Sequence, residues 1–292
     1  RPEHPRPQFQ RSTWLSLNGP WRFAIGGADD ERLPSGHGYD HQINVPFCPE
    51  SSLSGVGDAT FRDRFVTSVW YQRALVVPRE WSGGRVLLHF GAVDYECRVF
   101  LDGRLVGGHV GGSSSFTIDL SSYVQFGDTQ SLTVHVSDDP RSGLQTAGKQ
   151  STRPESYGVF YTRVTGIWQS VWLESVPLRS IEAVRHVTDP VAGRLTLEPR
   201  FAGVASGDRW RAVLSVAGHA VASGEAPAVQ GLPLTLDVAD VRPWSGDDPF
   251  LYDLTLVLTG EGGEVLDTVA SYCGFRSLAW ADGRLLLNGA PY

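Results

Sequence analysis

The chain has 292 residues, 41% hydrophobic and 20% charged with 33 glycines, a composition that excludes a disordered polypeptide and suits two turn-rich domains. Its net charge is −7 without a long basic run, and acids interleave with arginines in stretches such as "FRDRF", which excludes a nucleic-acid track. No stretch approaches the roughly 18 apolar residues of a membrane-spanning helix, and the opening "RPEHPRPQFQR" lacks a signal peptide's apolar core, so the polypeptide reads as soluble with no membrane partner. Methionine is absent even at position 1, which suggests a missing native start and leaves localisation open.

Along the chain the hydrophobic period is two almost everywhere, and no window carries a helical period. Trp14, Trp21, Trp70 and Trp81 fall in or beside strand-like segments, where a large ring serves a core. The stretch 30–41, "DERLPSGHGYDH", reads as a surface loop with solvated His37 and His41. In "HFGAVDYECRVFLDGRLVG" two strands, 95–101 and 104–107, flank a "DG" hairpin turn. Asp94 and Glu96 flank Tyr95 and share one strand face, a pattern read as solvated acids rather than a catalytic pair. "FTIDL", "LTVHV" and "WRAVLSV" alternate as half-buried strands. Between them, 141–160 is polar, contains Pro154 and shows no alternation, the mark of a long loop.

"YTRVTGIWQSVWLE" then resumes a strand at Val171, with Gly166 permitting a sharp or close-packed backbone just before it. Pro177 separates two strand-like runs and marks a boundary. Residues 178–275 hold about seven short strands, the size of an immunoglobulin-like sandwich. After "CGFR" the chain reads as one more strand and a turn. Cys48, Cys97 and Cys273 have no CxxC or His spacing and read as buried thiols. "SDDP" and "SGDDP" lack ion-loop spacing and read as turns, so no metal or other cofactor is legible.

Taken in order, "WLSLNGPWRF", "VPFCPESSLSG", "VWYQRALVVPREW", "RVLLHFGAVDYECRVFLDGRLVGGHVGGSSSFTIDL", "TGIWQSVWLE", "RPWSGDDPFLYDLTLVL" and "YCGFRSLAWADGRLLLNGAPY" resemble the non-catalytic N-terminal part of glycoside hydrolase family 2, which includes β-galactosidases, β-glucuronidases and β-mannosidases. The resemblance implies an all-β fold: a galactose-binding-like jelly-roll β-sandwich over 1–177, an immunoglobulin-like β-sandwich over 178–275, and at 276–292 the start of a (β/α)8 barrel. It implies a retaining hydrolase of β-linked glycosides whose two glutamates lie on that barrel, so no catalytic residue falls in this chain. Its partners are then a carbohydrate substrate and the chain's own C-terminal barrel. Members are often oligomeric, and these residues fix no symmetry.

In characterised relatives a loop before the "GI" motif reaches the sugar. The matching stretch offers Lys149, Gln150, Arg153, Glu155, Tyr157, Tyr161 and Arg163 as rim candidates, and a solvated loop is the equal alternative. Gly166, Ile167 and Trp168 form the junction motif, with Trp168 expected to face the barrel. Galactosidase-like and glucuronidase-like relatives carry an aspartate six positions before that glycine; Phe160 stands there, so the sugar is not specified. The competing reading is a free-standing carbohydrate-binding or adhesion module of two sandwiches.

Overall fold

A computed structural model describes residues 3–26, 38–56, 61 and 65–292. It divides into two compact units, Arg1–Pro5 with Thr13–Ser175, and Arg6–Ser12 with Val176–Tyr292. The reading of 30–41 as a loop, His37 included, falls mostly outside the described residues. His41 is described: it opens the strand His41–Val45 opposite Phe23 and is half-buried, where the sequence suggested a solvated loop residue.

The first unit is a sandwich. Six strands run in the order His41–Val45, Gly19–Ile25, Ser68–Val76, Thr129–Ser137, Glu96–Leu101, Arg104–Val110. Four others run in the order Trp14–Ser16, Val171–Val176, Arg85–Phe90, Phe116–Asp119. Alternation places Val86, Leu88, Phe90, Val99, Leu101, Ile118 and Leu120 in one core with Trp21, Tyr71 and Trp81. The hairpin at "DG" forms as the sequence predicts, because Asp102 and Gly103 both take positive φ, 48° and 80°, the pair a tight primed turn requires.

"LTVHV" departs from its half-buried expectation. Thr129–Ser137 is a central strand between Ser68–Val76 and Glu96–Leu101, and consecutive residues Leu132 to Val136 are buried, so both of its faces are covered. Leu132, Val134 and Val136 enter the main core; on the other face the His135 ring stacks 4.2 Å from Trp70, and its Nε2 lies 3.0 Å from Ser68 Oγ. Trp14 also departs from expectation, being only half-buried against His4, because its short strand sits at the edge of the four-stranded sheet.

The second unit packs a three-stranded sheet (Ser180–Asp189, Arg194–Ala202, Leu234–Asp237) and a four-stranded sheet (His219–Pro227, Arg209–Val216, Tyr252–Thr259, Val265–Cys273) around Trp210, Leu214, Leu256 and Phe275. Its N-terminal segment is not legible as a strand, yet Gln10 and Ala270 exchange backbone hydrogen bonds of 2.8 Å. Phe9 joins the core, and the buried Arg11 guanidinium donates to both Asp267 carboxylate oxygens at 2.9 and 2.8 Å and to the Ile181 carbonyl at 2.6 Å. Residues after Phe275 form three short strands, Leu278–Ala281, Arg284–Leu287 and Ala290–Pro291, rather than the single strand expected. The tight turn at Asp282 and Gly283, with φ of 50° and 72°, folds this segment back on itself.

Candidate functional site

The junction before Val171 is built on close backbone approach. Gly166 has φ +77°, and a Cβ there would overlap the Tyr71 hydroxyl, which accepts a hydrogen bond from Ile167 N–H at 3.2 Å. Gly166 and Ile167 pair with Asp94 and Val93, so the "GI" motif and the "VD" pair form a small two-stranded sheet. Trp168 follows, half-buried, its indole N–H donating to the Gly112 carbonyl at 2.8 Å. Gly112 in turn packs on the Asp94 carboxylate, where any Cβ would collide.

Asp94 therefore does not share an exposed face with Glu96. The two acids belong to different sheets; Glu96 is exposed and Asp94 only 6% so. Burial, reinforced by the charge of Asp138 and opposed by the Gln150 hydrogen bond, pushes the Asp94 pKa up to about 7. Asp138, read from "SDDP" as turn chemistry, is 2% exposed, and burial raises it to about 6 against a hydrogen bond from Gln145. Only Asp139 does turn work, accepting from Arg141 N–H. Burial also raises Glu50, against hydrogen bonds from Thr165.

Each of these acids grips the long loop at one point. Gln145 Nε2 donates to Asp138 at 2.6 Å, Gln150 Nε2 to Asp94 at 2.8 Å, and Thr165 Oγ1 to Glu50 at 2.6 Å. The other end of the Gln150 amide accepts from Val164 N–H at 2.8 Å. Asp94 Oδ1 and Asp138 Oδ2 are buried without a hydrogen-bond partner. These carboxyls anchor the loop.

The candidate rim residues separate by direction. Arg163 is 3% exposed and donates to the carbonyls of Arg153, Pro154 and Phe61 at 2.7, 3.0 and 2.7 Å, with its guanidinium 4.4 Å from the Phe65 ring centre. Burial lowers its pKa, and Glu50 and Asp138 oppose that shift. Gln150 is likewise committed inward. Lys149, Arg153, Glu155 and Tyr161 are exposed, Tyr161 at 64%, and Tyr157 is half-buried beneath Arg153, whose guanidinium lies 4.1 Å over its ring. Lys149 is the only lysine in the chain. Phe160 lies 5.1 Å from Tyr157, ring to ring, and the two close a tight backbone turn.

Sequence reasoning passed over Glu50 and misjudged Asp94 and Asp138, although a signal existed for Asp138. Asp138 continues the inward parity of Leu132, Val134 and Val136, whereas Asp94 follows a break after Phe90, with Val93 as its core-facing neighbour. Glu50, in an irregular stretch, carries no such mark. Among the described residues no group of three or more His, Cys, Asp or Glu side chains is arranged to hold a metal ion. The three cysteines are free thiols; Cys97 and Cys273 are buried and Cys48 half-buried.

A family model for glycosyl hydrolases family 2, sugar binding domain, matches residues 14–177, and a second, for glycosyl hydrolases family 2, matches 205–276. Among curated relatives, a beta-galactosidase of Thermoanaerobacter pseudethanolicus is 26% identical over 78% of this chain and 31% of its own length. A beta-glucuronidase of Paenibacillus borealis is 26% identical over 94% of this chain and 47% of its own. The crystal structure of Ruminococcus gnavus beta-glucuronidase superposes with a TM-score of 0.77 at 21% identity, covering 97% of this chain and 48% of that one, a likeness of fold. The chain thus spans half or less of these relatives' length.

Proposed function

This chain belongs to glycosyl hydrolases family 2, and on that premise we propose that it is the non-catalytic N-terminal portion of a retaining glycosidase acting on β-linked glycosides. Its first unit supplies scaffold and part of the active-site rim. The two carboxyl groups of the retaining reaction, about 5 to 5.5 Å apart in such enzymes, belong to a barrel beyond these residues. The observation that carries the rim assignment is the anchored loop: three separated carboxyls hold Gln145, Gln150 and Thr165, which leaves Lys149, Arg153, Glu155 and Tyr161 directed outward on a fixed frame. A cation, an acid and an aromatic face suit a pyranose, which offers hydroxyl edges and C–H faces. Arg163 and Gln150 support this rim from beneath.

Because Phe160 replaces an acid at the matching position, the substrate is assigned no further than a β-linked glycoside. A panel of nitrophenyl β-glycosides tested on the full-length gene product decides the matter. Hydrolysis of one of them, with KM raised in Lys149→Ala and Tyr161→Ala, supports the reading. Absence of hydrolysis across the panel, together with sugar binding by the 292-residue chain alone that Lys149→Ala or Tyr161→Ala abolishes, overturns it in favour of a free-standing binding module.

A further inference from the structure

The second unit contains a cleft of about 580 Å³ that has no part in the rim. Gln8, His186, Thr188, Trp244, Tyr272 and Arg276 line it, with Gly274 among the remaining wall residues. Its aromatic wall is placed by backbone contacts: Trp244 N–H donates to the Phe275 carbonyl at 2.8 Å, and Asn288 Nδ2 donates to the Trp244 carbonyl at 2.9 Å. Gly274 lies against the Trp244 side chain, where a Cβ would sit 3.3 Å from the Trp244 Cβ. Two of the polar lining residues meet beside this wall. The Arg276 guanidinium lies 5.0 Å from the Trp244 ring centre, and Thr188 Oγ1 reaches the Arg276 carbonyl at 3.4 Å.

The charge of the cleft is its distinguishing feature. No carboxylate lines it, in a chain of net charge −7, and among the described residues Arg276 has no ion-pair partner. Burial lowers the His186 pKa, so near neutrality its imidazole is uncharged and offers one donor and one acceptor. An exposed guanidinium beside an indole, with amide, hydroxyl and imidazole groups in the same lining, has the chemistry to take a ring with C–H faces, hydroxyl edges and one carboxylate. We propose that this cleft is an accessory binding site for a uronate-containing saccharide, in which Trp244 and Tyr272 stack on the sugar and Arg276 holds its carboxylate.

The site lies in a different unit from the rim and does not depend on it, so the two proposals fail separately. The test uses the 292-residue chain with trigalacturonate and, as a neutral counterpart, maltotriose, followed by calorimetry and by the indole N–H resonance of Trp244, assigned with Trp244→Phe. Trigalacturonate is expected to shift that resonance and to bind at least about tenfold more tightly than maltotriose, with affinity falling as salt rises. Arg276→Gln, an exposed change, is expected to remove the preference at unchanged thermal stability, and Lys149→Ala to leave it intact. No shift at Trp244, equal binding of the two trisaccharides, or full trigalacturonate affinity in Arg276→Gln overturns the proposal.

Discussion

Replacing Asp94 by asparagine isolates the energetic cost of the charge beneath the loop. Asparagine retains an oxygen to accept from Gln150 Nε2 and removes the carboxylate that Asp138 and Glu50 disfavour. The Asp94 pKa rises from the usual 3.8 to about 7, so the folded chain prefers the protonated form. The contribution of this group to stability is therefore fully present below the unfolded value and is lost as pH rises through about 7. At about 1.4 kcal/mol per pKa unit, the roughly two units between pH 5 and the folded value set a ceiling of about 3 kcal/mol, which solvent screening reduces to about 1 to 2. Guanidinium unfolding of wild type and Asp94→Asn, followed by tryptophan fluorescence at pH 5 and pH 8, measures it. The variant is expected to gain about 1 to 2 kcal/mol on wild type between the two pH values. A gap independent of pH, or one that moves in favour of wild type at pH 8, refutes the reasoning.

Gly166→Ala places a side chain at positive φ against the Tyr71 hydroxyl, and a loss of about 2 kcal/mol or more is expected in the same unfolding assay. Arg163→Ala leaves three carbonyls without their donor; a loss of about 3 kcal/mol is expected, with faster hydrogen exchange across 151–163 and no rescue by lysine, whose single ammonium cannot span them. Arg11→Ala strands the buried Asp267 carboxylate and should cost about 3 to 5 kcal/mol in the second unit, read as a lowered denaturation midpoint. Lys149→Ala and Tyr161→Ala should change stability by less than about 0.5 kcal/mol, so their effect on KM in the full-length gene product reports on the rim alone.

The all-β class, the hairpin at Asp102–Gly103 and the inward faces of Leu132 and Trp210 follow from the amino-acid sequence, because period-two alternation and turn residues are local signals. Its ordered motifs likewise sufficed to identify the family. The long loop was also legible, from Pro154 and the loss of alternation. What the loop residues do depends on contacts from distant parts of the chain: Arg163 reaches Phe61, Thr165 reaches Glu50, and Gln150 reaches Asp94. No spacing rule in one sequence distinguishes that inward arginine from the outward Arg153, ten residues away.

The same holds for Arg6–Ser12, whose proline and two arginines conceal a segment that pairs with Ala270 and buries Arg11 on Asp267. The environment of Asp94 shows the division most clearly. Its pKa near 7 arises only from burial in the folded chain and the charge of Asp138, against the Gln150 hydrogen bond. Desolvation is a property of the assembled surroundings, so the tertiary structure alone decided that this acid anchors a loop.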